Sequence, residues 1–115
     1  MPFVDVTLDA TVDGARRRRL LEALPDVVAE AVDCAEEPWV GPAQVGDLEI
    51  RVRAKGADDV GGLSVVVEVR TKLVASRAAD AQRRADLVVE RLSGLGLGSV
   101  GVWLILAEGA WSQSA

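Results

Sequence analysis

The chain has 115 residues, of which 50% are hydrophobic and 27% charged, with a net charge of −5, as is typical of one folded domain rather than a disordered segment. It has no histidine, which excludes Ser-His-Asp and Cys-His catalytic arrangements and histidine-ligated metal sites. Its one cysteine, Cys34, cannot form an intrachain disulfide. The negative charge disfavours nucleic acid and anionic membrane surfaces as partners.

No apolar segment reaches the ~20 residues of a transmembrane helix, and the first residues lack the basic and apolar regions of a signal peptide. We therefore expect a cytoplasmic protein. The glycine-containing segment 94–98 follows a helical pattern and precedes a strand pattern, which is the reverse of the order in a phosphate-binding loop. We expect no organic cofactor and no metal.

The first half of the chain predicts a β-α-β unit. Apolar and polar residues alternate over residues 3–8, which predicts a strand, and apolar residues three and four positions apart predict a helix over residues 13–32. Pro25 lies inside this helix, so we expect a kink there or two abutting helices. After a loop rich in glycine and proline, residues 48–53 alternate again and predict a second strand.

The second half repeats this order, with a strand over 63–73, a helix over 80–92 ended by Gly94, and a strand over 99–107. We expect one domain over residues 1–115 of class α+β, with pseudo-repeats at about 1–56 and 62–115. Right-handed crossovers place both helices on one face of a four-stranded sheet. Because the strands are so apolar, the other face requires cover by further subunits.

Two other features have plain structural interpretations. The arginines at positions 16–19 fall in the first turns of the predicted helix, where a run of charges forms a solvated face. Cys34 follows that helix and is interpreted as a buried small residue, because the chain has no imidazole to activate it.

Pro2 is a candidate for acid–base chemistry. Removal of Met1 leaves a secondary amine on a rigid ring at the start of a strand. In an apolar pocket beside arginines the pKa of this amine falls, so that it becomes a neutral base near pH 7. If Met1 is retained, the Pro2 nitrogen is an amide and has no basic lone pair.

The opening Met-Pro-Phe-Val-Asp-Val-Thr-Leu, the tandem β-α-β units and a tail with Glu108 and Trp111 resemble the tautomerase superfamily. Among its long members, the 5-carboxymethyl-2-hydroxymuconate isomerases fit better than the macrophage migration inhibitory factor group. Residues 24–30 resemble the proline-kinked first helix of that family. Residues 72–77, followed by Arg83, resemble its strand end, loop and second helix start.

The resemblance implies a homotrimer in which six β-α-β units surround a barrel, with active sites at or near subunit boundaries. It also implies that an N-terminal proline moves a proton between carbons of an unsaturated 2-oxo or 2-hydroxy carboxylate, while arginines bind the carboxylate and stabilise the dienolate. Pro2 matches the catalytic proline and Arg77 the loop arginine. The family's other arginine falls on Glu49, and Arg51, on the same strand face, is its candidate replacement.

Three further residues are candidates for substrate binding. They are Arg53, Lys72 and Trp111, the last as part of an apolar wall that lowers the pKa of the proline. The alternative for Arg51 and Arg53 is an exposed strand edge or an intersubunit salt bridge, and the alternative for Trp111 is packing at a subunit interface.

Three functions stay open. The first is a proline-based tautomerase, with hydration, dehalogenation or decarboxylation by a protonated proline as related outcomes. The second is a catalytically silent trimer that binds a small molecule or acts as a scaffold, which retention of Met1 and the displaced strand arginine would favour. The third is a ferredoxin-like β-α-β-β-α-β domain that binds a small effector.

Overall fold

The computed structural model describes residues 1–44 and 46–114, and within them two β-α-β units follow one another. The elements in chain order are strand β1 (Phe3–Leu8), helix α1 (Gly14–Val32), strands β2 (Glu49–Ala54) and β3 (Val65–Lys72), helices α2 (Ala75–Ala79) and α3 (Ala81–Ser93), and strand β4 (Val100–Ala107). The sheet order is β2-β1-β3-β4. Strand β1 is parallel to β2, β3 is parallel to β4, and β1 is antiparallel to β3, so the units meet through their first strands.

Helix α1 begins at a side-chain cap. The Asp13 carboxylate accepts a hydrogen bond from the backbone N–H of Arg16 at 2.9 Å, which satisfies one of the unpaired donors of the first turn. The helix continues through Pro25 as one element, so the alternative of two abutting helices is excluded. Buried Leu20, Leu24 and Val28 on both sides of the proline pack against the sheet and offset the lost backbone hydrogen bond.

The second unit differs from the prediction between β3 and β4. A short helix, α2, precedes α3, and the sequence pattern did not predict it. Gly94 is the C-cap of α3, as expected, but it keeps right-handed helical angles, with φ −68°. The left-handed conformation falls two residues later, at Gly96, with φ +69°. No helix in the described part of the chain is both long and apolar enough to cross a membrane.

The core lies between one face of the sheet and helices α1 and α3, so the predicted α+β class with both helices on one face is confirmed. Alternate strand residues point into it because successive side chains of a strand lie on opposite faces. The side chains that are at most 4% exposed there are Val4, Val6 and Leu8 of β1, Val65, Val67 and Val69 of β3, Leu20, Leu24, Val28, Ala31 and Val32 of α1, Val88 and Leu92 of α3, and Leu97 of the loop before β4.

The other face of the sheet, called the open face below, is mainly charged. It presents Phe3, Asp5 and Thr7 of β1, Glu49, Arg51 and Arg53 of β2, Val66, Glu68, Arg70 and Lys72 of β3, and Gly101, Trp103 and Ile105 of β4. The Asp5 carboxylate accepts from Arg70 at 2.8 Å and from Arg53 at 3.3 Å, and Arg70 also pairs with Glu68.

The strands were expected to need cover on the second face of the sheet because they are apolar, and this reason is wrong. The valines that make β3 so apolar, Val65, Val67 and Val69, point toward the helices and are already buried. The exposed apolar surface of the open face is local, with Trp103 67% exposed on edge strand β4. Apolar composition of the strands is therefore no argument for subunit contacts.

Substitution of Asp13 tests whether its side-chain cap stabilises helix α1. We expect Asp13→Ala to lower the free energy of unfolding by about 1 kcal/mol, because the Arg16 N–H loses its acceptor and the arginines at positions 16–19 lose a neighbouring carboxylate. Urea denaturation followed by circular dichroism measures the change. Asp58→Ala removes an equal charge from an exposed turn and should change the stability by less than about 0.5 kcal/mol; equal losses in both variants would contradict the cap.

Candidate active site

A cavity of about 600 Å³ lies at the edge of the sheet where β1 begins and β3 and β4 end. The antiparallel pairing of β1 with β3 sets Phe3 opposite Arg70, and the parallel pairing of β3 with β4 sets Lys72 opposite Ala107. We call it the edge cavity. Its lining residues are Met1, Phe3, Glu37, Arg70, Thr71, Lys72, Ala107, Gly109, Ala110 and Trp111.

The amino terminus of the chain lies at this cavity. Met1 lines it and is 39% exposed, whereas Pro2 is buried. The Pro2 carbonyl accepts a hydrogen bond from the Glu49 backbone N–H at 3.0 Å, which fixes the start of β1 against β2. The Pro2 nitrogen is bonded to Met1, which lines the cavity, whereas Pro2 itself is not among the lining residues.

Two aromatic side chains form an apolar wall. The rings of Phe3 and Trp111 meet edge to face, with centroids 4.8 Å apart and an interplanar angle of 69°. The Trp111 Nε1–H donates to Gln113 at 2.8 Å, which orients the indole. The guanidinium carbon of Arg51 lies 5.8 Å from the Phe3 ring centroid, within reach of a cation–π contact. Trp111 therefore lines the cavity, and Arg51 contacts its wall without lining it.

The cations near the cavity differ in their availability. Arg70 lines it, but its guanidinium donates to both Asp5 and Glu68. Lys72 also lines it, is exposed, and has no carboxylate within 4.0 Å among residues 1–44 and 46–114. Arg53 lies farther along β2, pairs with Asp5, and is not brought to the cavity. The Lys72 ammonium is thus the cation best placed to meet an anionic ligand.

Arg77 lies beneath the cavity rather than in it. It is 3% exposed, its Nε–H donates to the Val32 carbonyl at 2.9 Å, and its Nη1 donates to the Lys72 carbonyl at 3.0 Å and to the Glu37 carboxylate at 2.7 Å. The direct contact with a substrate carboxylate that the resemblance implies would have to displace these bonds. The geometry instead connects Arg77 to the cavity through Glu37.

The Glu37 carboxylate is the anion of the cavity. The Arg77 guanidinium lowers its pKa chiefly by hydrogen bonding, against a smaller opposing effect of burial, and the charges of Lys72 and of the chain's amino terminus lower it further. The carboxylate therefore faces two positive groups at the cavity as well as Arg77 behind it.

Several lining residues were not predicted from the sequence, above all Glu37, Phe3 and Arg70. Alternation sets Phe3 apart from the buried residues of β1 and Arg70 apart from those of β3, and that signal could have found both. Glu37 lies in a loop without periodicity, and its place depends on a bond to a residue 40 positions away. In the described residues, no three Cys, Asp or Glu side chains form a group able to bind a metal ion.

No protein-family model and no curated protein matches this sequence. Solved structures do match it. FG41 malonate semialdehyde decarboxylase inhibited by 3-bromopropiolate aligns with a TM-score of 0.67 and 18% identity, over 98% of this chain and 89% of that one. The macrophage migration inhibitory factor-like protein of Entamoeba histolytica aligns with a TM-score of 0.61 and 11% identity, over 98% and 95%.

The 5-carboxymethyl-2-hydroxymuconate delta-isomerase aligns with a TM-score of 0.50 and 17% identity, over 100% of this chain and 87% of that one. The chain has the tautomerase fold. The resemblance inferred from the sequence is confirmed at this level, because these neighbours of the tautomerase superfamily align along nearly the whole chain.

The ion pair of Glu37 predicts a dependence of stability on pH. Because the folded state lowers the pKa of Glu37 below its ordinary value of 4.5, the carboxylate stabilises the fold above that pH, and its contribution is lost as the pH falls through the folded value. We expect Glu37→Gln to be less stable than the parent protein at pH 7, and we expect this difference to shrink as the pH falls below 4.5, measured by urea denaturation. Glu22→Gln, at an exposed position of α1, is the control; a stability difference for Glu37→Gln that is independent of pH would contradict the ion pair.

Proposed function

We propose that this protein is a tautomerase-type isomerase, which transfers a proton between carbons of a small unsaturated 2-oxo or 2-hydroxy carboxylate. The observation that carries the proposal is the convergence of the amino terminus, an available ammonium at Lys72 and the Phe3–Trp111 wall on one cavity. In this proposal Met1 is removed, and the Pro2 nitrogen is the catalytic base.

Each step follows from these groups. The lone pair of the Pro2 amine takes a proton from the carbon next to the substrate carbonyl, and the electrons of that C–H bond form a dienolate. The resulting ammonium returns the proton to a different carbon, which restores the amine. The apolar wall keeps water away and disfavours the charged amine, so that a neutral base is available near pH 7.

The four cationic side chains at or near the cavity have different roles in this proposal. Lys72 binds the substrate carboxylate and stabilises the negative charge of the dienolate. Arg70 is the second cation of the cavity and is shared with Asp5 and Glu68. Arg51 stabilises the wall through Phe3, and Arg53, which pairs with Asp5 outside the cavity, has no contact with substrate.

A second reaction class is supported by Glu37. A carboxylate at the cavity favours a positively charged amine, and the charge of the chain's amino terminus already contributes to the lowered pKa of Glu37. A Pro2 that stays protonated would act as an acid, as decarboxylation or hydration requires, and a malonate semialdehyde decarboxylase is among the proteins of similar fold. Rates that rise with pH indicate the base, and rates that fall with pH indicate the acid.

A catalytically silent binding protein or scaffold is the alternative if Met1 is retained. The cavity with Lys72 and the aromatic wall would still bind a small carboxylate, but the Pro2 nitrogen would be an amide. The intact mass of the protein purified from its native host decides between the two, because loss of Met1 leaves the enzyme proposal open and complete retention refutes it.

We further propose that the chain forms a homotrimer. A fused 4-OT of similar fold, with a TM-score of 0.60 and 19% identity, is a symmetric trimer. In the present chain the exposed Trp103 on edge strand β4 is an aromatic side chain of the kind that subunit interfaces bury.

Size-exclusion chromatography with light scattering tests the trimer. Three chains of 12.1 kDa give an expected mass of about 36 kDa. We expect Trp103→Glu to lower this mass toward that of one chain, because the substitution places a charge at the exposed apolar part of the open face. Glu22→Gln, at an exposed position of α1 on the helix side of the sheet, serves as the control, and a parent protein of 12 kDa would refute the trimer.

Turnover of phenylenolpyruvate tests the enzyme proposal. In ketonisation of this enol, the Pro2 amine takes the hydroxyl proton and the resulting ammonium returns it to carbon. With loss of Met1 verified by mass spectrometry, we expect ketonisation that falls by about 100-fold or more in Pro2→Ala, which loses the secondary amine of the ring. Lys72→Met should raise KM, whereas Arg53→Met, on the same face but outside the cavity, should leave both constants nearly unchanged. Unchanged ketonisation by Pro2→Ala would exclude proline catalysis.

A further inference from the structure

The buried guanidinium of Arg77 joins three parts of the chain. Its acceptors are the Val32 carbonyl at the end of α1, the Lys72 carbonyl at the end of β3, and the Glu37 carboxylate in the loop after α1. Burial of a guanidinium is costly unless hydrogen bonds and an opposite charge compensate it. Both are supplied here, so the side chain is held in one place.

The loop that carries Glu37 is bonded to α2 at two successive positions. The Glu36 carboxylate accepts from the Ser76 backbone N–H at 2.9 Å, and Glu37 accepts from Arg77. The first of these bonds also lowers the pKa of Glu36. The short helix α2 therefore fixes both glutamates, although only Glu37 lines the edge cavity.

Arg84 provides an internal comparison. It is 7% exposed, and its Nη1 donates to the Ala31 carbonyl at 2.9 Å and to the Asp33 carbonyl at 2.6 Å. Like Arg77, it binds carbonyls at the end of α1 and pairs with a carboxylate, that of Asp80. Unlike Arg77, it has no bond to a residue that lines the cavity.

We propose that Arg77 is a positioning residue, which holds the Glu37 carboxylate at the wall of the edge cavity and has no contact with substrate. The bond from Nη1 engages Oε1 of Glu37, and Oε2 accepts no hydrogen bond from the described residues. That oxygen is available to the amino terminus or to a hydroxyl or protonated group of a substrate. The placement of Glu37 by Arg77 is independent of the proposed function, whereas its catalytic consequence rests on that function.

The substrate-binding role implied by the resemblance and the positioning role predict different kinetics. If Arg77 bound the substrate carboxylate, Arg77→Gln would mainly raise KM. If it positions Glu37, kcat changes by about 10- to 100-fold with KM little changed, and it falls where Pro2 acts as an acid, because a displaced carboxylate no longer favours the charged amine. The pH profile of kcat then shifts, since the pKa of Glu37 returns toward its ordinary value.

The deciding measurement requires no turnover. Carbon-13 NMR of the side-chain carboxyls, assigned by comparison with Glu37→Gln, gives the titration of Glu37 in the parent protein and in Arg77→Gln. We expect the midpoint to rise toward 4.5 in Arg77→Gln and to stay at the parent value in Arg84→Gln, the matched loss of a buried arginine. An unchanged midpoint in Arg77→Gln would refute the positioning role whether or not the protein is an enzyme.

Two further variants keep the test decisive. If Arg77→Gln does not fold, Arg77→Lys retains the charge without the planar donor geometry and should show a smaller rise of the midpoint, and no rise would overturn the proposal. Where turnover is detected, Arg77→Gln should have little effect on kcat in a Glu37→Gln background. Losses that multiply in the double variant would show that Arg77 acts on substrate independently of Glu37 and would also overturn it.

Discussion

The last carbonyl groups of helix α1 have no partners within the helix, and buried arginines of the second β-α-β unit bind them. A helix of 19 residues ends without a basic residue in its own last turn. Arg77 and Arg84 instead donate to the carbonyls of Ala31, Val32 and Asp33. These bonds join the two units on the helix side of the sheet, and they set the loop that follows α1 against the end of β3. The edge cavity exists where these parts meet.

Some of the charged side chains at the edge cavity are paired with an opposite charge, and others are not. On the open face Asp5 pairs with Arg70, and beneath the cavity Glu37 pairs with Arg77. Lys72 lines the cavity and has no carboxylate partner among residues 1–44 and 46–114. A carboxylate near an amine favours protonation, while an aromatic wall favours the neutral form. The balance between Glu37 and the Phe3–Trp111 pair therefore sets whether Pro2 would work as an acid or as a base.

Periodicity in the sequence predicted most of the fold and part of the site. The alternation of β1 and the helical pattern of α1 are local, and both predictions agree with the structure. The pattern did not predict α2, whose five residues are too few to show a helical period. Burial of Arg77 could not be read from the chain either, because its acceptors come from residues 5, 40 and 45 positions away.

The two β-α-β units differ in the residues that precede their first strands, and this difference bears on the number of reactive sites per chain. Strand β3 is the counterpart of β1, and Ser64 precedes it as Pro2 precedes β1. The Ser64 nitrogen is an internal amide that donates to the Ser99 carbonyl at 3.0 Å, and Lys55 binds the neighbouring Leu63 carbonyl at 2.9 Å. The residue before β3 is thus an internal, hydrogen-bonded position, whereas the residue before β1 follows directly after Met1. In the proposed homotrimer, with Pro2 as the proposed catalytic amine, three chains would therefore have three reactive centres among their six units.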